Sequence, residues 1–162
     1  MSPKPKDEAE PIVLIASNKA ATHNYFITDK FEAGLVLKGT EVKSLRAKHC
    51  QIKDSYARVD AKGNLEILNF HINPYEQGNR YNQDPDRSRR LLVHRREIAK
   101  LENAIRLKGL TIVPLRVYFR GSYAKMELGL GKGKAEYDKR ATIKERDQNR
   151  EARQALKGRQ RD

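Results

Sequence analysis

Five basic residues near the end of the chain are spaced as if on one face of an α-helix. At successive steps of four, three, four and four residues, they are Arg146, Arg150, Arg153, Lys157 and Arg161. Such steps bring side chains to the same side of a helix, and a cationic stripe of this kind can follow a row of phosphates. The spacing therefore favours a segment that becomes helical on RNA over a solubilising tail of unordered charge.

The stripe lies in a C-terminal segment, residues 132–162, whose composition cannot build a hydrophobic core. The segment holds eleven Lys or Arg and six Asp or Glu, and apart from alanines its aliphatic side chains are Ile143 and Leu156. The whole chain of 162 residues has a formal net charge of +13, so most of the positive excess lies in its body. Such a balance indicates a nucleic-acid partner first and an anionic membrane second.

Two clusters in the body carry side chains suited to RNA. The first combines a cation, hydrogen-bonding groups and two rings, in Asn18, Lys19, His23 and Tyr25. These types provide phosphate contacts and base or ribose stacking, although a polar loop between two strands has the same composition. The second cluster places cations beside apolar anchors, in Arg87, Arg89, Arg90 and Leu92. The alternative interpretation of this second cluster is the solvated edge of a loop with no RNA contact.

The residue types that could serve catalysis or metal binding are not spaced as in a known catalytic or metal-binding motif. His49 and Cys50 are adjacent, so in regular structure their side chains point apart, and no His-rich metal motif occurs. The glycine-rich run 129–134 lacks the Ser or Thr that would hold Mg²⁺ in a phosphate loop, and it is interpreted as a flexible strand exit. We expect no catalytic residue, no cofactor and no metal. With one cysteine, no signal peptide and no long apolar stretch, the chain is expected to be cytoplasmic.

The elements that must position these residues are mostly strands. Strand-like runs occur at residues 12–16, 25–27, 35–37, 55–59, 65–72, 113–119 and 124–130. Residues 60–64, with Gly63 available for positive φ, predict a hairpin loop between the fourth and fifth runs. In the last hairpin one face is apolar, and the other carries Arg116, Tyr118, Tyr123 and Lys125. Pro114 lacks an N–H group, which predicts an edge position or a bulge.

Two helices interrupt the strands. Thr40 resembles an N-cap ahead of Glu41, and an apolar stripe followed by Gly109 predicts a helix at Arg95–Lys108. Many short antiparallel strands with few helices predict a mainly β fold, an OB-like antiparallel β-barrel. The expected organisation is a disordered N-terminus at residues 1–10, an OB-like RNA-binding barrel at residues 11–131 and the basic tail at residues 132–162. Because isolated helices of this length are marginal in water, the tail is expected to be disordered when free.

Several short motifs occur in an order typical of one known family. They are Asn18-Lys19-x-Ala21, Phe31-Glu32-Ala33-Gly34-Leu35, Gly39-x-Glu41-Val42-Lys43-Ser44-Leu45-Arg46, Asp54-Ser55-Tyr56, Asp84-Pro85-x-Arg87-x-Arg89-x-Leu91-Leu92, Gly131-Lys132-Gly133-Lys134 and Asp138-Lys139-Arg140. Over residues 12–150 the chain resembles small protein B (SmpB), the family of SsrA-binding proteins that partner transfer-messenger RNA (tmRNA) in bacterial trans-translation.

The resemblance implies a non-enzymatic RNA-binding factor of ribosome rescue with an OB fold. In this family the barrel binds the tRNA-like domain of tmRNA, and elongation factor Tu takes part in delivering the complex to the stalled ribosome. The tail then stands in the decoding centre and runs as a helix along the empty mRNA channel. These partners, without a membrane, are what the resemblance predicts for this chain.

Carried over position by position, the resemblance also implies individual roles. Residues that support RNA binding in the family match Glu32, Leu92 and Lys125. The decoding-centre motif and the tail that follows match Tyr137, Asp138, Lys139, Arg140, Ile143, Lys144 and Arg146. Family members often have His where Tyr137 stands, and either ring can stack on a base. A tail aromatic that is frequent in the family is replaced here by Gln148.

Two alternatives stay open on the sequence alone. Because a carboxylate repels phosphate, Glu32 either pairs with a barrel cation or accepts hydrogen bonds from a base edge or a ribose hydroxyl. The protein could also be a structural ribosomal or ribosome-assembly RNA-binding protein with a basic tail. The aromatic Tyr137 ahead of Asp138 argues against this, since a generic basic tail would not need an acid amid its cations. An RNA-processing nuclease would be revealed by metal-dependent cleavage of RNA.

Overall fold

The structure, a computed structural model, describes residues 11–77 and 82–159, without the side chains of residues 136–138 and 159. Its strands are β1 (Ile12–Ser17), β2 (Tyr25–Leu35), β3 (Cys50–Gln51), β4 (Tyr56–Val59), β5 (Leu65–Leu68), β6 (His71–Ile72), β7 (Arg89–Leu92), β8 (Thr111–Arg120) and β9 (Tyr123–Gly133). Its helices are α1 (Lys19–Asn24), α2 (Gly39–Arg46), α3 (Arg95–Lys108) and α4 (Glu136–Arg159). The expected disorder of residues 1–10 falls outside the described ranges.

Seven of the strands form one antiparallel sheet in the order β1-β8-β4-β5-β7-β2-β9. An additional pairing of β8 with β9 closes the six strands from β8 to β9 into a ring, and β1 lies outside the ring, paired with β8. β9 pairs with both β2 and β8 along almost all of its length, whereas β4 meets β8 at one register pair, Ala57 with Ile112. The mainly β, antiparallel fold class is therefore confirmed, but the ring of pairings is too uneven for a regular closed barrel.

The hydrophobic core lies on the inner face of this sheet because apolar side chains alternate along the strands. In β8 and β9 the inward positions include Val117, Phe119, Met126 and Leu128, each at most 1% exposed. Helices α2 and α3 add Leu45 and Leu101 to the same cluster. Among the described side chains, none from α4 belongs to it, so the tail helix is not part of the folded core.

β2 is one long strand where the sequence analysis has a gap between two short runs. Within that gap the side chains of Asp29 and Lys30 are exposed. Their backbones nevertheless pair with β9, opposite Leu130 and Gly129. Pairing with a long neighbour thus overrides the low strand propensity of these polar residues. The predicted run 65–72 is broken instead, at Asn69 with a φ of 57°.

Residues 18–25, for which a polar loop was the alternative interpretation, contain helix α1. It is held by a second apolar cluster, made of Ala21, Val113 and Leu115 with Tyr25 and Ile27 packed against it. This cluster lies over glycines of β9: a Cβ added at Gly129 would lie 3.1 Å from side-chain atoms of both Ile27 and Leu115. The interpretation of residues 129–134 as a flexible strand exit is therefore wrong, because β9 continues to Gly133 and its glycines make room for the cluster.

Pro114 lies at a β-bulge, which is one of the two positions predicted for it. The register of β8 against β9 shifts between Pro114 and Arg116. On its other side β8 pairs with β1 at residues 116–120 and with β4 at Ile112, and Pro114 lies between these two pairings. The bulge accommodates the missing N–H group, and β8 pairs with β9 both before and after it along the chain.

The helices follow the sequence patterns with one shift. α3 has its predicted bounds, and Gly109 behind it has a left-handed φ of 64°. In α2 the N-cap is Lys38 rather than Thr40, and Glu41 Oε1 accepts the Lys38 backbone N–H at 2.9 Å. α4 agrees with the helical spacing of the basic stripe, while disorder of the free tail stays a prediction. In the described ranges no helix is both long and apolar enough to span a membrane.

Candidate nucleic-acid interface

The arginines ahead of the double leucine divide between the interior and the surface. β7 alternates, with Arg89 buried and both Arg90 and Leu92 exposed. Arg89 is 1% exposed, its Nε donates to Glu41 Oε2 at 2.5 Å, and its Nη atoms donate to backbone carbonyls. In this arrangement Arg89 cannot reach an RNA phosphate. Its expected place among the RNA-binding residues is therefore corrected to a role in holding the fold.

Glu41 neutralises Arg87 as well as Arg89. Arg87 Nε donates to Glu41 Oε2 at 3.1 Å, and its Nη2 donates to Oε1. Burial alone would raise the pKa of Glu41, but hydrogen bonds from Arg87, the Lys38 backbone and Arg89 bring that pKa below its ordinary value. Burial lowers the pKa of Arg89, yet a guanidinium titrates so high that it stays charged. With two members of the cluster engaged internally, Arg90 is the exposed cation that remains.

Leu92 and Lys125, expected to support RNA binding, are brought together on the exposed side of the sheet. Leu92 lies opposite Gly34 on β2, Gly34 lies opposite Lys125 on β9, and Lys125 lies opposite Tyr118 on β8. A Cβ added at Gly34 would lie 3.3 Å from Leu92 Cβ, so the glycine leaves space for the leucine. Leu92 is 54% exposed. We name these four residues, together with Glu32, the outer face.

Glu32 is paired within the outer face. Its Oε2 accepts hydrogen bonds from the Tyr118 hydroxyl and from Arg120 Nη2, the latter at 2.9 Å. Partial burial alone would raise the pKa of Glu32, but these bonds and the charges of Arg120 and Lys125 lower it. Burial and the nearby carboxylate raise the pKa of Tyr118 to about 12, so its hydroxyl keeps the proton that it donates. Of the two alternatives for Glu32, the structure contains the pairing with a cation.

A second ion pair lies beside the first. Glu127 of β9 faces Glu32 across the strands, and Arg116 Nη2 donates to Glu127 Oε2 at 2.6 Å. Each carboxylate thus holds an arginine of β8 in place, with Arg120 on Glu32. Within the described ranges Lys125 forms no ion pair, so its ammonium group is the cation that the outer face presents to a ligand.

Helix α1 brings the first predicted cluster together, with unequal exposure of its members. Asn18 Nδ2 donates to the Pro114 carbonyl at 3.0 Å, so this amide holds the bulge of β8. Lys19 is exposed at the start of the helix, and His23 lies half-buried one turn later. Tyr25 packs against the second apolar cluster. Of these four side chains, Lys19 is therefore the most accessible, and the contacts of Asn18 and Tyr25 also hold the helix in place.

Lys134 joins the base of the tail helix to α1. Its Nζ donates to the Thr22 carbonyl at 3.1 Å and to Thr142 Oγ1 at 2.8 Å, and it lies 4.9 Å from the centre of the Phe26 ring. Arg146 Nη2 donates to Thr22 Oγ1 at 3.3 Å, so the basic stripe begins beside α1. Lys134 and Phe26 were not among the predicted site residues. No local pattern pairs them, because the register of β2 with β9 sets their separation.

The predicted tail residues lie along α4 with most of their side chains in solvent. The exposed ones are Arg140, Ile143, Lys144, Arg146, Arg150, Arg153 and Lys157, while Lys139 is half-buried. The side chains of Tyr137 and Asp138, and the whole of Arg161, lie outside the described part of the chain. β9 pairs with β2 as far as Gly133, so the sheet extends two residues beyond the expected boundary at residue 131.

Comparison with known proteins shows to which family this chain belongs. Residues 15–158 match the family described as SmpB protein. The chain belongs to the SmpB family. The matched range contains every candidate site residue, from Asn18 near α1 to Lys157 in α4. The SmpB match therefore spans the outer face, α1 and nearly all of the tail helix.

Relatives of this SmpB-family chain are similar over nearly their whole length. An SsrA-binding protein of Geobacter metallireducens is 57% identical over 146 residues, covering 90% of this chain and 95% of that protein. One of Oceanobacillus iheyensis is 52% identical over 144 residues, covering 89% and 93%. A solved chain described as "tmRNA-SmpB: a journey to the center of the bacterial ribosome" has a TM-score of 0.63 and 44% identity, covering 79% of this chain and 93% of that one.

Proposed function

We propose that this SmpB-family protein binds tmRNA and acts in trans-translation, as an RNA-binding factor with no catalytic step of its own. The tRNA-like domain of tmRNA lies on the outer face and α1, and the tail enters the stalled ribosome. The observation that carries the proposal is the match to SsrA-binding proteins across both the sheet and the tail. Elongation factor Tu joins the delivery complex in the cytoplasm, where ribosomes work.

On the sheet, binding rests on phosphate neutralisation beside an apolar contact. Lys125 offers an ammonium group for phosphate, and the exposed Leu92 offers a surface for a ribose or a base. Glu32 acts indirectly, because a carboxylate in contact with phosphate would be repelled. Its part is to hold the Tyr118 hydroxyl and the Arg120 guanidinium in fixed positions. An OB-like barrel is the frame we propose for this surface, since OB folds present a sheet face to RNA.

In the tail, the start of α4 occupies the decoding centre and the rest follows the mRNA channel. Tyr137, Asp138, Lys139 and Arg140 take the decoding-centre role, with the ring of Tyr137 stacking on a base. The 24 residues of α4 span about 36 Å. The exposed stripe that begins at Arg146 then meets phosphates along the channel wall.

Removing two cations of the proposed RNA surface, by Lys19→Gln and Lys125→Gln, should weaken tmRNA binding and make the affinity less dependent on salt concentration. Each lost phosphate contact should reduce the slope of log K against log salt concentration by about 0.7–0.9. Titration of labelled tmRNA with full-length protein, between about 50 and 200 mM salt, measures both quantities.

The matched control for this titration is Lys100→Gln with Lys108→Gln, which removes two exposed charges from α3. The control should keep the slope of the wild type. An unchanged slope in the Lys19 and Lys125 variant would remove both residues from the phosphate contacts. Wild-type binding of an unrelated RNA as tight as that of tmRNA would favour a structural ribosomal or assembly protein.

Helix formation in the tail is tested by two substitutions at one position. Arg150→Pro removes a helical hydrogen bond and introduces a clash, which costs about 3 kcal/mol of helix stability, whereas Arg150→Ala slightly favours the helix. Both variants lose the same charge, so peptide tagging on stalled ribosomes should fall much further with Pro than with Ala. Equal tagging activities would mean that charge alone matters, and the helical role of the stripe would be rejected.

A further inference from the structure

A groove lies between the loop that joins β4 to β5 and the start of α3. Its cavity has a volume of about 550 Å³. Cations from three separate elements line it: Lys62 from the loop, Arg90 from β7 and Arg95 from α3. Val93 and Ile98 contribute apolar surface between them. The groove therefore combines positive charge with apolar side chains.

The loop side of the groove is held in a fixed conformation. Asp60 Oδ1 accepts the backbone N–H groups of Lys62 and Asn64, both at 2.9 Å, and Gly63 provides the positive φ of 80° that the turn requires. Arg90 Nη2 donates to Asn64 Oδ1 at 3.2 Å. A guanidinium has five N–H donors, so Arg90 is oriented by this bond and keeps others for a ligand. A site that is already ordered loses less entropy when it binds.

The cations of the groove are not neutralised by ion pairs. In the described ranges none of Lys62, Arg90 and Arg95 lies within ion-pair distance of a carboxylate. Asp60 attracts Lys62 and Arg90, but its carboxylate is already bound by two backbone N–H groups. Glu102 also lines the groove, two helical turns from Arg95, or about 10 Å along the axis. The end of the groove at Arg90 and Arg95 therefore keeps an excess of positive charge.

The groove continues the line of the outer face. Arg90 and Leu92 are two residues apart on β7 and point to the same side, a separation of about 7 Å. Lys125 lies two strands away from Leu92, which is about 10 Å. One folded RNA can thus contact Lys125 and the groove together. The side chains of Lys62 and Arg95 are exposed, so binding a ligand there needs no rearrangement of the core.

We propose that this groove is a second RNA-contact site, which takes the sugar–phosphate backbone through Lys62, Arg90 and Arg95. Val93 and Ile98 then lie against the ribose. The inference rests on the proposed function, since the RNA in question is the tmRNA that the outer face binds. Ammonium and guanidinium groups are the common donors to phosphate oxygens. Because a backbone contact carries no sequence information, the groove adds affinity and fixes orientation rather than selecting a sequence.

The test replaces two groove cations that lie outside the outer face, Lys62→Gln and Arg95→Gln, in the full-length protein. Labelled tmRNA is titrated across the same range of salt concentration. Two lost phosphate contacts should reduce the slope of log K against log salt concentration by about 1.4–1.8, with weaker binding at low salt. The control is Lys100→Gln with Lys108→Gln, which removes the same charge from α3 without touching the groove.

A fall in slope confined to the groove variant supports the proposal. Equal falls in the groove variant and the control overturn it, because net charge alone would explain them, and an unchanged slope in the groove variant also overturns it. Weaker binding to ribosomes with an unchanged tmRNA slope overturns the assignment to tmRNA. Should the double variant fail to fold by circular dichroism, Arg95→Gln alone should show half of the fall, and an unchanged slope there counts equally against the proposal.

Failure of the groove and failure of the proposed function give different results. If the function is wrong, wild-type protein binds tmRNA no more tightly than an unrelated RNA of equal length. If the groove is wrong, the wild-type preference for tmRNA is intact and the groove variant retains the wild-type slope. The wild-type titration therefore decides the function before the variants decide the groove.

Discussion

Ending the chain at Ala135 should leave tmRNA binding largely intact and abolish peptide tagging on stalled ribosomes. The sheet is complete at Gly133, and among described side chains neither apolar cluster contains a residue of α4. The shortened chain also keeps Lys134, whose Nζ donates to the Thr22 carbonyl. It loses the hydrogen bonds of Thr142 and Arg146, each worth about 1 kcal/mol. Tagging fails because the segment proposed for the decoding centre and mRNA channel is gone.

The two functions of the shortened chain are measured separately. Binding is followed by titration of labelled tmRNA, folding by thermal melting, and tagging by translation of an mRNA that lacks a stop codon. Tagging at the wild-type level would show that the tail is dispensable. Loss of tmRNA binding in a chain that still folds would show that α4 and α1, which meet at Thr22, form one RNA site rather than two.

The largest effect on stability should come from Glu41→Ala. Arg89 is 1% exposed, and the substitution removes the carboxylate that pairs with its charge. Leaving one member of a buried ion pair without its partner costs about 3–5 kcal/mol of unfolding free energy. The control is Glu66→Ala, since its partner Arg58 is 58% exposed and solvent-exposed ion pairs contribute little to stability. Urea unfolding at neutral pH measures both variants.

A second substitution separates the charge of Arg89 from the other contacts of Glu41. Combining Glu41→Ala with Arg89→Met removes the buried charge altogether, so the free-energy cost of an unpaired buried guanidinium disappears. The double variant should therefore regain much of the stability that Glu41→Ala loses. No regain would place the loss in the bond from Glu41 to the Lys38 backbone or in the pairing with Arg87.

The contribution of Glu41 should depend on pH with a definite sign. Its pKa in the folded protein is lowered from the ordinary 4.5, so the ionised carboxylate stabilises the fold above that ordinary value. This stability is lost as pH falls through the lowered, folded-state pKa. The difference in unfolding free energy between wild type and Glu41→Ala should thus narrow from neutral to acidic pH. A difference that stays constant over this range would contradict the ion-pair explanation.

The division between Arg89 and Arg90 shows a limit of what the chain could reveal by itself. The sequence of β7 is Arg-Arg-Leu-Leu. In either register one arginine and one leucine point inward, so the sequence does not decide which arginine is buried. A shift of one residue would expose Arg89 and bury Arg90. The choice comes from pairing with β5 and from Glu41 of α2, which lies 48 residues away in the sequence. Local pattern therefore placed both arginines at one RNA site, and tertiary contacts separated them.

Features that depend on neighbouring residues could be predicted from the chain. They include α3 with Gly109 behind it, the hairpin loop at residues 60–64, the bulge at Pro114 as one of two alternatives, and the helical spacing of the basic stripe. Each is set by backbone preferences or side-chain periodicity over a few residues. The motifs that resemble SmpB could likewise be recognised in the sequence, because each motif is a short run of neighbouring residues.

Tertiary structure alone decided which charged side chains are free to meet RNA. Glu32 could pair with a cation or contact RNA, and the choice fell to Arg120, 88 residues away in the sequence, across three adjacent strands. Lys134 reaches Thr22 only because β9 returns beside the end of α1. The groove cations converge from a loop, a strand and a helix. Burial and ion pairing depend on distances through space, and strand register sets those distances between segments that are far apart in the sequence. The sequence of one such segment does not indicate which other segment will lie beside it.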